Sequence, residues 1–375
     1  MLDPRAYLAT LTDAGVTFFT GVPDSLLKEI CACITATLGP KDHVIAANEG
    51  ASVGLAIGHY VGTGNLPLVY LQNSGLGNTV NPLLSLASPE VYGVPMLVML
   101  GWRGEPGKKD EPQHVHQGRV MVAMLEAMDI PVVTLSDDPA EADAQTKAAA
   151  QQARDLNGPV ALVVRKGTFD KFEGAEKVTS DHPMGREEAI MAAAALLEDD
   201  AAAICTTGMP SRELFEFRAR NEAGHQRDFL TVGGMGHASQ IALGLAMARP
   251  DRPVYCFDGD GAALMHMGSM AITGQSGCAN LIHLVFNNGV HGSVGGQPTV
   301  GFAIDMPAIG TACGYASAVR VDTAEALADA VAMARKENGP TLIEVQVRPG
   351  NRADIGRPTT TPAQNKLALM DFLKG

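Results

Sequence analysis

Two short segments place oxygen-bearing side chains at a spacing that suits a divalent cation bound to a diphosphate. Gly259-Asp260-Gly261 is followed, after the 25 residues from 262 to 286, by Asn287-Asn288. Val254–Phe257 has the continuous apolar character of a buried parallel strand, so Asp260 is predicted at a carboxyl end, where open α/β sheets bind ligands. Magnesium prefers oxygen ligands and takes most of them from phosphates and water. The spacing therefore predicts a magnesium and diphosphate site.

The elements around these segments are predicted to bring their side chains together. Leu281–Phe286 has the pattern of the next apolar strand of the same sheet and would deliver Asn288 beside Asp260. A helix-length run, Leu264–Ser276, follows the glycines, so its N-terminal amides would face a diphosphate. The alternative is a surface turn at the glycines and a loop start at the asparagines.

The whole chain alternates apolar strand-like runs with helical runs such as Glu188–Leu197, Ser239–Ala248 and Ala324–Arg335. That alternation predicts an α/β protein with two doubly wound parallel sheets. The predicted strands are Val16–Thr20, His43–Ala46, Pro67–Gln72, Val94–Gly101, Pro131–Leu135, Pro159–Arg165, Ala202–Thr206, Phe229–Val232, Val254–Phe257, Leu281–Phe286, Ala318–Val321 and Thr341–Val347. We expect a first domain at residues 1–165, a polar linker at 166–183 and a second domain at 184–375.

Composition argues against several other classes of protein. Of the 375 residues, 46% are hydrophobic and 18% are charged, which suits buried cores and argues against disorder. The 28 Lys and Arg against 41 Asp and Glu give a net charge of −13, so binding to nucleic acid or an anionic membrane is not expected. The six cysteines form no Cys-x-x-Cys motif, and neither a signal peptide nor a membrane span is evident. A cytoplasmic enzyme is expected.

A glutamate in the first half is predicted at the carboxyl end of a strand, where open α/β sheets bind ligands. Glu49 follows the short predicted strand His43–Ala46 and opens a helix of small residues, which places it at a strand's carboxyl end. The ordinary interpretation of an acid in the first turn of a helix is a favourable interaction with the helix dipole. The alternative is a carboxyl group that shares its proton with a bound ligand.

The Gly-Asp-Gly segment and the Asn-Asn pair together resemble the binding motif of thiamine diphosphate enzymes. In that family the aspartate, the second asparagine and the carbonyl two residues beyond it hold the metal, which implies Asp260, Asn288 and Val290 as magnesium ligands. The resemblance also implies diphosphate contacts from Gly259, Gly261 and Ala262. Glu49 matches the glutamate that hydrogen-bonds the aminopyrimidine ring in that family. The resemblance implies that this hydrogen bond lets the cofactor form a nucleophilic ylid at C2. The cofactor later acts as an electron sink.

Two glycine-rich segments are similar to further cofactor-binding elements of that family. Gly234-Met235-Gly236 matches the element in which a bulky apolar side chain, here Met235, holds the cofactor bent. A core methionine is equally compatible with the pattern. Asn73-Ser74-Gly75 lies in a loop without the third glycine of a dinucleotide-binding motif. Because a similar loop lies beside the pyrimidine in thiamine enzymes, these three residues are also predicted to contact the cofactor.

Five further segments resemble the thiamine diphosphate decarboxylases that act on 2-oxo acids with a phosphonate arm. They are Gly21–Ser25, Gln72–Asn78, Trp102–Gly107, Asp110–His114 and Gly295–Thr299, within a likeness that runs from Thr20 to about Pro358. The resemblance implies non-oxidative decarboxylation of 3-phosphonopyruvate to phosphonoacetaldehyde and carbon dioxide, through the cofactor's ylid and enamine.

Other activities remain open. In the family members that act on 3-sulfopyruvate, the two domains commonly occur as separate chains, so their fusion here favours the phosphonate. Synthases that join two carbonyl compounds carry an additional middle domain, which this chain lacks. A non-catalytic thiamine-binding regulator is the third alternative, although it would have no need of Glu49.

A substrate with several negative charges requires local positive charge on this acidic protein. Arg103, Arg352 and Arg357 are the candidates for phosphonate binding. The ordinary role of such arginines is to be solvated or to pair with carboxylates.

Proton handling near C2 of the cofactor is assigned by the resemblance to Asp24 and His114. Asp24 is alternatively a helix cap, and His116 is an alternative to His114. The family brings its two domain types together between subunits, so a homodimer or a dimer of dimers is implied.

Overall fold

The structure, a computed structural model, describes residues 1–175 and 177–375. Contacts among these residues divide the chain into two units, one of Met1–Lys177 with Val294–Gln297 and one of Val178–Ser293 with Pro298–Gly375. Each unit has a six-stranded sheet. Across the described ranges, no helix combines the length and the apolarity needed to cross a membrane.

The first unit alternates strands and helices. Its strands are β1 Val16–Gly21, β2 His43–Ile45, β3 Leu66–Gln72, β4 Met96–Gly101, β5 Val132–Thr134 and β6 Pro159–Val164. Its helices are α1 Pro4–Asp13, α2 Lys28–Thr37, α3 Glu49–Thr63, α4 Leu76–Pro82, α5 Pro112–Ala127 and α6 Pro139–Leu156, with a 3₁₀ turn at Asn73–Gly75 and a π-helical turn at Leu83–Ala87.

The second unit repeats this alternation. Its strands are β7 Ala202–Cys205, β8 Asp228–Leu230, β9 Val254–Gly259, β10 Leu281–Asn287, β11 Ser317–Val321 and β12 Thr341–Gln346. Its helices are α7 Arg186–Leu196, α8 Met209–Arg220, α9 Ala238–Ala248, α10 Asp260–Met265, α11 Gly268–Gly274, α12 Met306–Cys313, α13 Ala324–Ala334 and α14 Pro362–Phe372.

The two sheets have the same strand order. The first is β2-β1-β3-β4-β6-β5, and the second, starting from its corresponding edge, is β8-β7-β9-β10-β12-β11. Neighbouring strands are parallel. The predicted fold class is therefore confirmed. In each sheet the order reverses between the first and third strands of the unit, and such switch points are where open α/β sheets bind ligands.

Alternate residues of the central strands enter apolar layers on opposite faces of each sheet. In β3, Leu68 and Tyr70 pack with α1, α2 and α6, whereas Val69 and Leu71 pack with the layer that includes α3 and α5. The central strands are covered on both faces, as continuous apolar runs predict. The sheets thus form rigid supports for the loops at their carboxyl ends.

Several boundaries differ from those expected, and two of the differences lie next to the site. The single helix expected over Leu264–Ser276 is wrong: α10 ends at Met265 and α11 begins at Gly268. The backbone leaves the helical region at His266, with φ −129° and ψ 48°, and apolar periodicity carries no signal for such a break. The strand expected at Phe229–Val232 lies instead at Asp228–Leu230, because Thr231 and Val232 continue into the glycine-rich loop.

Candidate active site

Glu49 lies just beyond β2 as the first residue of α3, after the N-cap Asn48. Its side chain is buried, and Oε2 accepts a hydrogen bond from Asn78 Nδ2 at 2.7 Å. The carboxylate lies over Gly75, where a Cβ would be only 2.3 Å from Oε1. Gly75 therefore makes room for Glu49.

The loop after β3 joins two strand ends. Asn73 is buried, its Nδ2 donates to the carbonyl of Arg103 at 2.7 Å, and its Oδ1 accepts from the Arg103 N–H at 3.2 Å. Ser74 Oγ donates to Gln72 Oε1 at 2.7 Å. Because the Asn73 amide is used in this way, it fixes the Trp102–Gly107 loop against the 3₁₀ turn that carries Gly75.

Asp24 follows β1 at the switch point and is fully buried. Its Oδ2 accepts the N–H groups of Leu26 and Leu27 at 3.0 and 3.2 Å, and its Oδ1 accepts from Gln72 Nε2 at 2.6 Å. Burial raises the pKa of Asp24, and these hydrogen bonds oppose the increase. The backbone contacts are those of a cap on the turn that leads into α2, the alternative role for this residue.

His114 lies in the first turn of α5 and is mostly buried. In the part of the chain that the structure describes, its Nδ1 has no hydrogen-bond partner. Burial, followed by the nearby Arg103 guanidinium, lowers the pKa of His114. The alternative residue, His116, is exposed and lies 3.0 Å from Arg119 Nη2. His114 therefore offers an unpaired imidazole nitrogen in a buried environment, whereas His116 faces solvent.

The second unit brings Asp260 and Asn288 into contact. Asp260 begins α10 directly after β9, and its Oδ1 accepts the backbone N–H of Asn288 at 3.4 Å. Its Oδ2 accepts from the Thr299 hydroxyl. Burial raises the pKa of Asp260 to about 6.

The amide of Asn288 folds towards the residue predicted to supply a carbonyl. Asn288 is buried, and its Oδ1 accepts the Val290 N–H at 3.1 Å. Val290 in turn forms an isolated antiparallel bridge with Pro298, which fixes the segment after the asparagines. A carboxylate, an amide oxygen and a main-chain carbonyl are the hard oxygen donors that suit magnesium.

The Gly234-Met235-Gly236 element packs against the start of α10. The Met235 Cε lies 3.3 Å from the position that a Cβ on Gly261 would occupy. A Cβ on Gly236 would lie 3.1 Å from the Ala262 carbonyl, and Gly234 and Gly236 both have positive φ. Met235 is half-buried beside the segment 259–262, so it can act as a wedge there.

Arg103 and Arg352, both predicted to bind the substrate, form ion pairs with carboxylates. Arg103 donates from Nε to Asp110 Oδ2 at 2.8 Å and from Nη1 to Ser25 Oγ at 2.8 Å. Arg352 pairs with Glu187 at 3.2 Å, and also with Glu216 and Asp354. Arg357 is exposed in the C-terminal tail beyond β12.

Sequence reasoning missed several buried polar groups near the site. Arg186 and Glu213 form a buried ion pair, with Nε to Oε2 at 2.9 Å, and Arg186 Nη2 also donates to Asn351 Oδ1 at 2.6 Å. His291 lies beside Gly261, and its burial lowers its pKa to about 4. No local pattern reveals such pairs, because their members are far apart in sequence.

Two family models match the two units. The N-terminal TPP binding domain of thiamine pyrophosphate enzymes matches residues 5–125, and the C-terminal TPP binding domain matches residues 206–345. The chain belongs to the thiamine pyrophosphate enzyme family, which confirms the resemblance.

The full-length relatives are decarboxylases. The chain is 36% identical to a phosphonopyruvate decarboxylase of Streptomyces viridochromogenes, over 97% of this chain and 93% of that protein. It is also 36% identical to one of Streptomyces hygroscopicus, over 99% and 94%. A sulfopyruvate decarboxylase of Methanosarcina acetivorans is 26% identical over 91% and 90%. This last relative spans both domains, so the fusion of the domains does not by itself favour the phosphonate.

Proposed function

We propose that the chain decarboxylates 3-phosphonopyruvate to phosphonoacetaldehyde and carbon dioxide with thiamine diphosphate and magnesium. The observation that carries this proposal is the likeness to two phosphonopyruvate decarboxylases along nearly the whole chain, at 36% identity against 26% for the sulfopyruvate relative. Glu49, Asp260 and Asn288 support it, because each is a buried polar group at the carboxyl end of a strand.

The metal and the cofactor's diphosphate are assigned to the second unit. Asp260, Asn288 and the Val290 carbonyl would hold magnesium, and Gly259, Gly261 and Ala262 would border the diphosphate. Gly301 supports this fit, because a Cβ there would lie 2.6 Å from Asp260 Oδ2 and would crowd the carboxylate. When bound, thiamine diphosphate supplies a nucleophilic carbon and an electron sink.

The first unit is assigned the proton transfers. Glu49 would hold a proton at a ring nitrogen of the cofactor through Oε1, while Asn78 keeps Oε2 in place. The proposed role of Asn73, Ser74 and Gly75 is to support that carboxylate and border the pyrimidine. His114 would accept or return a proton at the substrate through its unpaired Nδ1.

Asp24 has a more restricted role. Its carboxylate is fully buried and accepts hydrogen bonds from the Leu26 and Leu27 N–H groups, the Gln72 amide and the Ser25 hydroxyl. We propose that it acts on the reaction from this fixed position at the switch point, where it would hold a substrate hydroxyl or donate a proton. The Asp24→Asn variant should then still bind the cofactor but lose turnover. Unchanged turnover in this variant would show that Asp24 takes no part in the mechanism.

Arg103, Arg352 and Arg357 remain the proposed phosphonate contacts. For Arg103 and Arg352, binding of an anion requires the present carboxylate partners to share the guanidinium or release it. Replacement by lysine should therefore raise KM for 3-phosphonopyruvate while leaving cofactor binding intact.

The deciding experiment is a paired assay of the purified chain with 3-phosphonopyruvate and 3-sulfopyruvate, in the presence of thiamine diphosphate and magnesium. We expect kcat/KM to favour the phosphonate clearly. A preference for the sulfonate would replace the proposed substrate. Activity with neither would reopen the question of the enzyme class.

We also propose that the chain acts as a homodimer or a dimer of dimers, in which one copy's Glu49 serves the site of another. Exposed apolar side chains on α3 and α9 support this, since Val61 is 76% exposed and Met247 64%. Mass measurement by light scattering tests it. Val61→Glu and Met247→Glu should each reduce the mass, and a monomeric, fully active enzyme would contradict the proposal.

A further inference from the structure

Glu344 is a fully buried carboxylate in the middle of β12, between Val285 of β10 and Arg320 of β11. A buried carboxylate is unfavourable unless hydrogen bonds and an opposite charge compensate it. Glu344 has both, because Oε1 accepts from Asn287 Nδ2 at 2.7 Å and Oε2 accepts from Arg320 Nε at 2.6 Å. Neither Glu344 nor Asn287 is among the residues assigned to the site so far.

The carboxylate determines the orientation of the Asn287 amide. A carboxylate only accepts hydrogen bonds, so the amide NH2 must face Glu344 and the amide oxygen must face away. In that orientation Nδ2 also donates to the Gly301 carbonyl at 2.8 Å, and Oδ1 accepts the Gly289 N–H at 3.1 Å. A flipped amide would place an oxygen against both Glu344 and the Gly301 carbonyl.

Both contacts of the Asn287 amide lead to proposed metal ligands. Gly289 stands between Asn288 and Val290, whose oxygens are assigned to magnesium. On the other side, the Gly301 N–H donates to Thr299 Oγ1 at 3.0 Å, and that hydroxyl donates to Asp260. One amide therefore holds the segments that carry all three ligands.

The negative charge of Glu344 is paired with Arg320, on the side of Glu344 opposite to Asn287. Arg320 has a side chain that is 38% exposed, and its Nη2 also lies 3.3 Å from Asp305 Oδ1 at the N-terminus of α12. Glu344 therefore influences the metal site through the geometry of Asn287. We propose that Glu344 is a positioning residue that sets the affinity of the site for the divalent cation, an inference that rests on the proposed metal ligands.

The test is a titration of the protein with Mn²⁺ in the presence of thiamine diphosphate, with free Mn²⁺ measured by electron paramagnetic resonance. Glu344→Gln should raise the Kd for Mn²⁺ by about 10- to 100-fold, the range for outer-shell partners of metal ligands. The glutamine at position 344 has one oxygen and one NH2 group, and the NH2 group must face either the Asn287 amide or Arg320. Both of these partners are donors, so one hydrogen bond is lost. Glu325→Gln, at an exposed position of α13, is the matched control and should leave the Kd unchanged.

A second change separates positioning from general destabilisation. In Glu344→Gln combined with Arg320→Gln, the amide oxygen introduced at position 344 can accept from Asn287, while the NH2 of the same side chain donates to the amide oxygen introduced at position 320. The double variant should recover most of the Mn²⁺ affinity. Glu344→Asp keeps the charge but shortens the side chain by one methylene, so it should raise the Kd for Mn²⁺ by an intermediate amount. If Glu344→Gln does not fold, Glu344→Asp tests whether position 344 affects Mn²⁺ binding.

The outcomes are distinguishable. Glu344→Gln could lower the melting temperature and yet keep its Kd for Mn²⁺ within threefold of the parent value. Glu344 would then have only a structural role, and the inference would be overturned. Asp260→Asn calibrates the assay, because it should abolish binding. If Asp260→Asn binds Mn²⁺ normally, the proposed ligand set itself is wrong. If it abolishes binding and both single substitutions of Glu344 bind normally, only the inference about Glu344 fails.

Discussion

The two units share a strand order but hold their acidic groups in different ways. In the first, the Asn78 amide fixes Glu49, whereas Asp24 accepts from the Gln72 amide and also from backbone N–H groups. In the second, Asp260 accepts from a backbone N–H and from the Thr299 hydroxyl. The same topology therefore presents Glu49 and Asp260 in two kinds of carboxylate environment.

This difference matches the chemistry that each unit is proposed to perform. An amide donates in a fixed direction, which keeps the other oxygen of Glu49 aimed for proton exchange. A hydroxyl hydrogen can rotate away, so Thr299 can release Asp260 to a cation without a change of rotamer. The comparison implies that equivalent substitutions in the two units should damage different steps.

The largest effect is expected from Glu49→Gln. Loss of a positioned acid or base lowers the rate of its proton transfer by about 10²- to 10⁴-fold. Hydrogen-deuterium exchange at C2 of bound thiamine diphosphate, followed by NMR, should slow by that amount, while cofactor affinity changes little. Glu90→Gln, at an exposed site of the same unit, is the control. Normal exchange in Glu49→Gln would remove the functional distinction between the units.

Asp260→Asn should produce the complementary defect. We expect the affinity for the divalent metal to fall by about 100-fold or more, since even outer-shell changes alter affinity by about 10- to 100-fold. Isothermal titration with magnesium in the presence of thiamine diphosphate measures this directly. Asp251→Asn is a suitable control, because its side chain is 60% exposed and pairs on the surface with Arg249. Unaltered metal affinity would place the cation elsewhere.

Gly75 and Gly301, which lie against the carboxylates of Glu49 and Asp260, allow a second test of the difference between the two units. Gly75→Ala should displace Glu49 and slow C2 exchange by about 10- to 100-fold, because misplacement of a reacting group by about 1 Å can cost that much. Gly301→Ala should instead displace Asp260 and weaken metal binding. Gly77→Ala and Gly244→Ala are the controls, since a Cβ at either has no neighbour within 4 Å. If Gly75→Ala exchanges normally, Glu49 does not depend on that space.

Most of the two sheets could be predicted from the sequence, because parallel strands buried on both faces appear as continuous apolar runs. Continuous apolar runs located the central strands, and the spacing of the two asparagines from Gly-Asp-Gly predicted the contact between Asp260 and Asn288. The break between α10 and α11 was not predictable, since Leu264–Ser276 keeps its apolar character across His266.

The supporting shell of the site was harder to predict, for a physical reason. The Arg186 and Glu213 pair depends on the packing of α7 against α8, which no local pattern specifies. Glu344 did carry a signal, because it is a charged residue within the apolar strand predicted at Thr341–Val347. A charge at such a position requires a buried partner, and that requirement alone marks it for inspection.

The smallest expected effect concerns pH and the buried imidazole of the first unit. Burial lowers the pKa of His114, so the folded state binds fewer protons than the unfolded state, whose histidine titrates near 6.5. Stability from this group is therefore complete above about pH 6.5 and is lost as the pH falls below it, by at most about 1.4 kcal/mol per pH unit. His114→Gln should flatten the fall in melting temperature between about pH 7.5 and pH 5.5. His116→Gln is the control at an exposed histidine of the same helix, and an equal effect of both variants would show that burial at His114 does not control its protonation.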